Sequence, residues 1–316
     1  MAILVTGGSG FLGTHLTNKL KQRGDEVVSL SSRDADLCRP DSLLPFSDKK
    51  YTHIYHCAAW IQGGDFSLHH AGEQWLINQQ INTTVLRWWA QEQPQARLIS
   101  IGSSGAYAEG TDLHEGLYLV GEPVSGLYAY GMTKRMLHIG QISLAQQYDL
   151  KFLTVVPSTV YGPHYPVGAK RRHFIYDLAA KILSHKHFGE DIVLWGDGYQ
   201  KRELTYIDDF INDLFLIEQK TENDIINIGA GTQHTIRTFS EILCEMIGVD
   251  PDIIQYDVNR YTGAREKYLN IQKERGILGD LVRTPLHEGL HAMLDSFTPL
   301  FLAYEHHRRK HIPVIL

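Results

Sequence analysis

Tyr130 and Lys134 stand four residues apart, a spacing at which a tyrosine and a lysine can do acid–base chemistry together. On a helix, residues i and i+4 share a face, so the ammonium lies one turn beyond the phenol. A free phenol has a pKa of about 10 and is a poor acid–base group near neutrality. A neighbouring ammonium favours the phenolate and draws that pKa down. Upstream, the apolar run Leu98-Ile99-Ser100-Ile101 ends in Gly102-Ser103-Ser104-Gly105. Ser103 or Ser104, at that strand end, would hold a carbonyl oxygen against the tyrosine. The set suits hydride transfer to or from a carbonyl. A Tyr-x-x-x-Lys pair alone also marks ordinary helix surface, so its meaning rests on the elements around it.

Those elements begin with Ala2-Ile3-Leu4-Val5-Thr6, a continuous apolar strand of the kind found in a parallel sheet covered on both faces. Gly7-Gly8-Ser9-Gly10-Phe11-Leu12-Gly13 follows, and a helical pattern runs from Thr14 to Arg23. Gly8, Gly10 and Gly13 satisfy G-x-G-x-x-G, and Gly7, Gly10 and Gly13 satisfy G-x-x-G-x-x-G. Glycines there permit a tight turn and bring backbone N–H groups to a pyrophosphate at the positive end of the helix. A strand before and a helix after is the context that the dinucleotide fingerprint demands. A second strand, Glu26 to Leu30, ends in Ser31-Ser32-Arg33. NAD sites usually place a carboxylate at such a strand end for the ribose 2′-hydroxyl. Ser31 stands there instead and Arg33 can accept a 2′-phosphate, so NADP (NADPH) is the expected cofactor. Ile54 to Ala59 reads as the fourth strand, with Ala58 and Ala59 small enough for close approach to the cofactor. Gln74 to Gln91 reads as a helix whose Trp75, Ile77, Ile81, Val85, Trp88 and Trp89 are core or subunit contacts. Strands alternating with helices predict an α/β fold, a Rossmann-type doubly wound parallel sheet.

The chain has 316 residues, 43% of them hydrophobic and 21% charged, with a net charge of −6. That length buries a large core, in one large or two intimately joined domains. The negative balance speaks against general binding to nucleic acid or to an anionic membrane. Three widely spaced cysteines, Cys38, Cys57 and Cys244, indicate neither a disulfide framework nor a zinc cluster. A strand opens at residue 2 and no apolar run approaches the roughly 18 residues of a membrane span, so a cytoplasmic protein is expected.

Taken with the motifs downstream, the chain resembles the extended short-chain dehydrogenase/reductases that modify nucleotide sugars, above all their GDP-fucose synthase branch. The resemblance covers nearly the whole length. It rests on Thr6 to Gly13, Arg33-Asp34-Ala35-Asp36-Leu37, Gly102-Ser103-Ser104, and Tyr130 with Lys134. Val156-Pro157-Ser158-Thr159-Val160-Tyr161-Gly162-Pro163, Trp195-Gly196-Asp197-Gly198, Arg202 to Asp209 and Asn227 to Gly231 complete it. The resemblance implies that Ser103 or Ser104 binds the substrate oxygen, that Tyr130 is the general acid, and that Lys134 binds the nicotinamide ribose and tunes the tyrosine. It places Gly7, Gly10, Phe11, Leu12, Gly13, Ser32, Arg33, Ala58, Ala59 and Pro157 around the cofactor, with Asp36 and Leu37 bordering the adenine. Arg202 would face the sugar-nucleotide diphosphate, where a bidentate guanidinium suits phosphate oxygens. Arg265 and Lys267 are further candidates for that task, while Thr159 and His173 would meet the sugar. The implied substrate is a GDP-linked 4-keto-6-deoxy sugar, hexose or heptose, reduced at carbon 4 by a homodimer. Residues 1–161 would form the NADP-binding domain, with returning segments at about 203–228. Residues 162–202 and 229–316 would form a smaller sugar-nucleotide lobe.

Members of that branch also epimerise the carbons flanking the ketone, which takes a base on one face of the sugar and an acid on the other. The family supplies a cysteine shortly after the serine and a histidine downstream of Tyr-Gly-Pro. His173 takes the histidine position, but Gly105 stands where the cysteine would be, and a glycine carries no proton. Two readings follow. One is a plain keto-reductase, which the missing cysteine favours. The other is a bifunctional 3,5-epimerase/4-reductase in which Tyr107 or a histidine replaces the cysteine. A reading from another class is an NADP-binding regulator without activity, against which the intact Ser103, Tyr130 and Lys134 count. His287-Glu288-Gly289-Leu290-His291 matches the H-E-x-x-H pattern of zinc proteases. Leu286, Leu290, Leu294 and Phe297 form the buried stripe of a late helix there and no third ligand follows, so no metal is expected. The basic stretch His306 to His311 reads as a solvated end.

Overall fold

The structure, a computed structural model, describes residues 2–61, 66–110, 112–168, 172–260 and 264–310. Strand β1 (Ala2–Thr6) is buried along its whole length, as an unalternating apolar run requires when helices cover both faces of a sheet. The glycine loop leads from it into α1 (Phe11–Gln22), which starts three residues earlier than the apolar pattern suggests because Gly10 serves as its N-cap. Next come β2 (Glu26–Leu30), β3 (Tyr51–His56), α2 (Phe66–His69), α3 (Ala71–Glu92), β4 (Arg97–Ile101), α4 (Tyr128–Tyr148) and β5 (Phe152–Pro157). After these the chain forms β6 (Thr159–Tyr161), α5 (Phe174–Phe188), β7 (Val193–Trp195), β8 (Lys201–Arg202), β9 (Leu204–Tyr206), α6 (Ile207–Lys220) and β10 (Asp224–Ile228). It continues through β11 (His234–Thr235), α7 (Ile236–Ile247), β12 (Gln255–Asp257), β13 (Glu266–Lys267), α8 (Gln272–Leu278) and α9 (Leu286–Lys310).

Six strands pair in parallel in the order β10-β5-β4-β3-β1-β2. The winding reverses between β1 and β3, and in such sheets the crevice outside the carboxyl ends of the strands at that point takes the ligand. The segment Ile54–Ala59, expected as the fourth strand, is instead the end of the third. Between β2 and β3 the chain, interrupted by Pro40 and Pro45, makes turns and one short 3₁₀ turn at Leu44–Phe46. Because β3 stops at His56, Cys57-Ala58-Ala59 leaves the sheet as a loop at the switch point.

Alternation along β1 feeds two cores. Leu4 joins Leu30, Ile54, Val85, Trp88 and Trp89 on one face of the sheet. Ile3 and Val5 join Leu16, Leu20, Phe210 and Leu214 on the other. A separate core holds α5, α7 and α9 together through Ile175, Phe239, Leu290 and Phe297. Of the expected contacts on α3, Ile81, Val85, Trp88 and Trp89 are buried, whereas Trp75 is exposed. In α9, Leu290, Leu294 and Phe297 face inward and His291 pairs outward with Asp295 at 3.0 Å. Among the described residues no three metal-binding side chains come together. The basic stretch forms the end of α9, with His306, His307, Arg308 and Lys310 exposed to solvent. Arg309 lies 4.0 Å over the Phe188 ring, beside Glu190 and Glu305, while His311 falls outside the described residues. No described helix is long and apolar enough to cross a membrane.

Candidate active site

The loop after β1 is shaped as a cradle. Gly7 has φ 68°, in the left-handed region where a side chain is strained, and a Cβ there would lie 2.7 Å from the Ala58 nitrogen. A Cβ on Gly13 would lie 2.1 Å from the Gly7 oxygen. Both glycines are therefore required for the loop to close on α1 and on the end of β3. Gly10 caps α1 without a side-chain hydrogen bond, so the first-turn N–H groups remain for an anion. These features fit the pyrophosphate of a dinucleotide. Phe11 and Leu12 sit half-buried at the start of α1, Phe11 with its ring edge-on to Tyr165. At the end of β2, the Asp34 carboxylate accepts from the Ser31 amide at 2.8 Å and the Ser31 hydroxyl at 2.6 Å. That turn leaves Ser32 and Arg33 exposed beyond it. Asp36 is exposed too and accepts from the Cys38 amide. The Leu37 side chain is buried in the core with Leu4 and Leu30, so only its backbone can border an adenine. Ala58, Ala59 and Pro157 are half-buried at the carboxyl ends of β3 and β5.

The acid–base residues gather at the end of β4. Lys134 donates from Nζ to the carbonyl of Ile101, the last residue of that strand, at 2.7 Å. Its Nζ stands 5.7 Å from the centre of the Tyr130 ring. Helix α4 closes on the turn Ser104–Ala106 because Gly131 lacks a side chain: a Cβ there would lie 2.8 Å from the Gly105 oxygen. Ser103 starts that turn, its Oγ accepting from the Gly105 amide at 3.0 Å, which leaves the hydroxyl proton to donate outward. Ser104 is the first residue of the turn and half-buried. The expected lowering of the phenol does not occur. Burial drives the Tyr130 hydroxyl upward, and burial also pulls Lys134 down to about 8. A phenol so placed keeps its proton.

On the substrate side, Thr159 opens β6, which pairs with β9. His173 precedes α5, and burial together with Lys267 and Arg202 lowers it to about 4. Arg202 on β8 pairs in register with Lys267 on β13 and donates from Nη1 to the Ala264 oxygen at 2.9 Å. Arg202, Lys267 and His173 thus come together. Arg265, one position from β13, is exposed, and its carbonyl accepts from the Lys201 amide. Tyr107, weighed as a substitute for the cysteine, is buried and donates to Asn227 Oδ1 at 2.7 Å. Its proton is committed to the core.

Sequence reading missed a polar chain beneath the site. His56 is fully buried between Thr6 Oγ1 at 2.8 Å and Asn82 Oδ1 at 3.1 Å. Asn82 Nδ2 donates to the Thr133 carbonyl in α4. The ends of β1 and β3 are thereby tied through α3 to the helix bearing Tyr130. With Asn82 accepting, His56 carries its proton on Nε2 and accepts from Thr6 at Nδ1, so it is neutral, and burial lowers it to about 4. The signal was present in Gln74, Asn78 and Asn82, polar residues at i, i+4 and i+8 that share one buried stripe of α3. Tyr118 was missed too: it is buried with its hydroxyl 3.0 Å from the place of a Gly102 Cβ, backing the serine turn.

Residues 3–229 match the sequence profile described as the NAD dependent epimerase/dehydratase family. The GDP-L-colitose synthase of Yersinia pseudotuberculosis is 24% identical over 279 residues, covering 85% of this chain and 89% of its own. The GDP-L-fucose synthase of Dictyostelium discoideum is 26% identical over 298 residues, covering 91% and 92%. Among solved structures, a GDP-L-fucose synthetase from Naegleria fowleri bound to NADP is similar with a TM-score of 0.82 at 21% identity, over 96% of this chain and 93% of that one. The last likeness is one of fold.

Proposed function

We infer the reaction from one premise: the chain belongs to the NAD dependent epimerase/dehydratase family. Within it, this protein is an NADP-dependent oxidoreductase that reduces the 4-keto group of a GDP-linked 4-keto-6-deoxy sugar, hexose or heptose. The observation that carries the reading is the placement of Tyr130, Lys134 and Ser103 at the end of β4, next to the glycine cradle at the switch point. The names of the two relatives support a GDP-linked sugar. Ser31 in place of a carboxylate, exposed Arg33 beyond it, and the NADP in the similar solved structure support the choice of cofactor.

Held by the glycine cradle, NADPH would supply a hydride for carbon 4. The Tyr130 phenol, kept neutral by burial, gives its proton to the ketone oxygen as negative charge forms there. Ser103 donates to the same oxygen, a contribution of about 2.7–4 kcal/mol to the transition state where such a donor is preorganised. Lys134, tethered to Ile101, holds the ribose next to the nicotinamide. Arg202 takes the diphosphate, and Thr159 and His173 meet the sugar. We take residues 1–161 with the returning segment at about 203–228 as the cofactor domain, and 162–202 with 229–316 as the sugar lobe. The separate core of α5, α7 and α9 supports that division. A homodimer is proposed from the exposed Leu76, Met136 and Ile139 on α3 and α4, and the cytoplasm as its location.

The test is turnover of GDP-4-keto-6-deoxymannose with NADPH in heavy water, with the product read by mass and NMR. A plain reductase gives deuterium only on exchangeable oxygens, with carbons 3 and 5 unchanged. Deuterium on carbon 3 or 5 would establish the bifunctional epimerase/reductase instead. Absence of NADPH oxidation would remove this substrate.

A further inference from the structure

At Gly105, two residues after Ser103, a residue from a distant strand comes close. A Cβ built on Gly105 would sit 3.3 Å from Ser103 Oγ and 3.6 Å from Lys267 Nζ, against Leu127 Cδ1 at 2.9 Å. Serine hydroxyl and lysine ammonium therefore flank the same small space. The parallel pairing of β13 with β8 delivers Lys267 there, in register with Arg202. His173 feels both cations, and its Nδ1 is buried without a hydrogen-bond partner among the described residues. Burial, together with Arg202 of like sign, brings the Lys267 ammonium down to about 8. Such a group gains from an anion that forms beside it.

We propose that Lys267 is a catalytic residue of the carbonyl reduction: its ammonium, beside Gly105, joins Ser103 in holding the oxygen on which negative charge develops. The diphosphate end is served by Arg202, whereas the Lys267 ammonium lies beside the turn that Ser103 starts. As hydride adds to carbon 4, the C=O π pair moves onto oxygen and Tyr130 supplies the proton. Lys267 keeps its three protons throughout and contributes a charged hydrogen bond. A side chain at 105 would fill the space, so the glycine and the lysine function as a pair. This inference rests on the keto-reductase reading above.

The experiment compares wild type, Lys267→Met, Gly105→Ala and the double variant in NADPH oxidation with the GDP-linked 4-keto-6-deoxyhexose. Lys267→Met is expected to lower kcat by roughly 100-fold, the size of a lost oxyanion donor, with KM for the sugar nucleotide nearly unchanged. The isotope effect from 4-deuterated NADPH should rise, because hydride transfer becomes slower. Gly105→Ala puts a methyl group against Leu127, beside Ser103 Oγ and Lys267 Nζ, and should lower kcat with the lysine intact. The double variant should fall no further than the worse single one, because both act on one contact. NADPH binding by each variant, titrated by fluorescence, reports folding. If Lys267→Met fails that check, Gly105→Ala carries the test alone, and its retention of wild-type kcat would overturn the proposal. A raised KM with unchanged kcat in Lys267→Met would put the lysine on the diphosphate and overturn it, as would additive losses in the double variant. Wild-type enzyme inactive on the sugar would sink the reductase reading and this one together. Active wild type with an indifferent Lys267→Met would sink this one only.

Discussion

Lys134 Nζ lies 5.7 Å from the centre of the Tyr130 ring while donating to the Ile101 carbonyl at 2.7 Å. The lysine is thereby fixed to the strand that presents Ser103. Burial acts on the two in opposite directions, keeping the phenol protonated and easing the ammonium toward neutrality. Carbonyl reduction needs a tyrosine that begins with its proton, and burial keeps it there.

Replacing Tyr130 with Phe removes that proton and little volume. Turnover should drop by roughly 10²–10⁴-fold, the usual contribution of a positioned general acid, while NADPH binding stays near wild type. Steady-state rates and a fluorescence titration of NADPH check the two halves. Full activity in the variant would take Tyr130 out of the mechanism, and lost activity with intact binding would exclude an idle cofactor-binding regulator.

Arg33 is expected to distinguish NADPH from NADH. The Ser31–Asp34 hydrogen bonds fix the turn that presents it, so Arg33→Ala should leave the fold and the use of NADH unchanged. KM for NADPH should rise by about tenfold, the equivalent of roughly 1.4 kcal/mol for a charged contact to a phosphate. Equal effects on both cofactors would show that Arg33 does not read the 2′-phosphate.

Acid should unfold the protein through its buried histidines. His56 and His138 are both held at about 4 in the fold by burial, whereas an unfolded chain protonates them near 6.5. The unfolded state therefore binds more protons between those values. Stability is full above about 6.5 and declines as pH falls toward 4, by roughly 1.4 kcal/mol per pH unit for each histidine. Urea midpoints across that range measure the slope. His138→Gln, which can keep a hydrogen bond to Thr154, should halve this pair's share of it, and an unchanged slope would count against the assignment.

The dimer proposed on α3 and α4 can be broken from its surface. Met136 and Ile139 are 43% and 39% exposed, large apolar groups on one side of α4. A charge there would be buried without a partner in an interface but solvated in a monomer. Ile139→Asp should shift light-scattering mass from dimer to monomer while leaving the far-ultraviolet circular dichroism unchanged. A wild-type chain already monomeric at micromolar concentration would end the proposal.

Local pattern was enough to read much of this molecule. The strand, glycine loop and helix from Ala2 to Gln22, and the Tyr130–Lys134 spacing on α4, follow from periodicity and from where glycine is needed, both short-range properties. The β3 assignment erred by one strand because apolar runs reveal that strands exist without fixing how many precede them. Tyr107 looked available as a proton carrier because the sequence does not show the hydrogen bond that commits it to Asn227. The state of Tyr130 was misjudged for a related reason: a neighbouring lysine is visible in the chain, but the burial that raises the phenol belongs to the packed fold. Gly105 could be recognised as a missing side chain. That Lys267 comes beside Gly105 was decided only by the pairing of β13 with β8, a long-range register set by which segments bury each other in three dimensions.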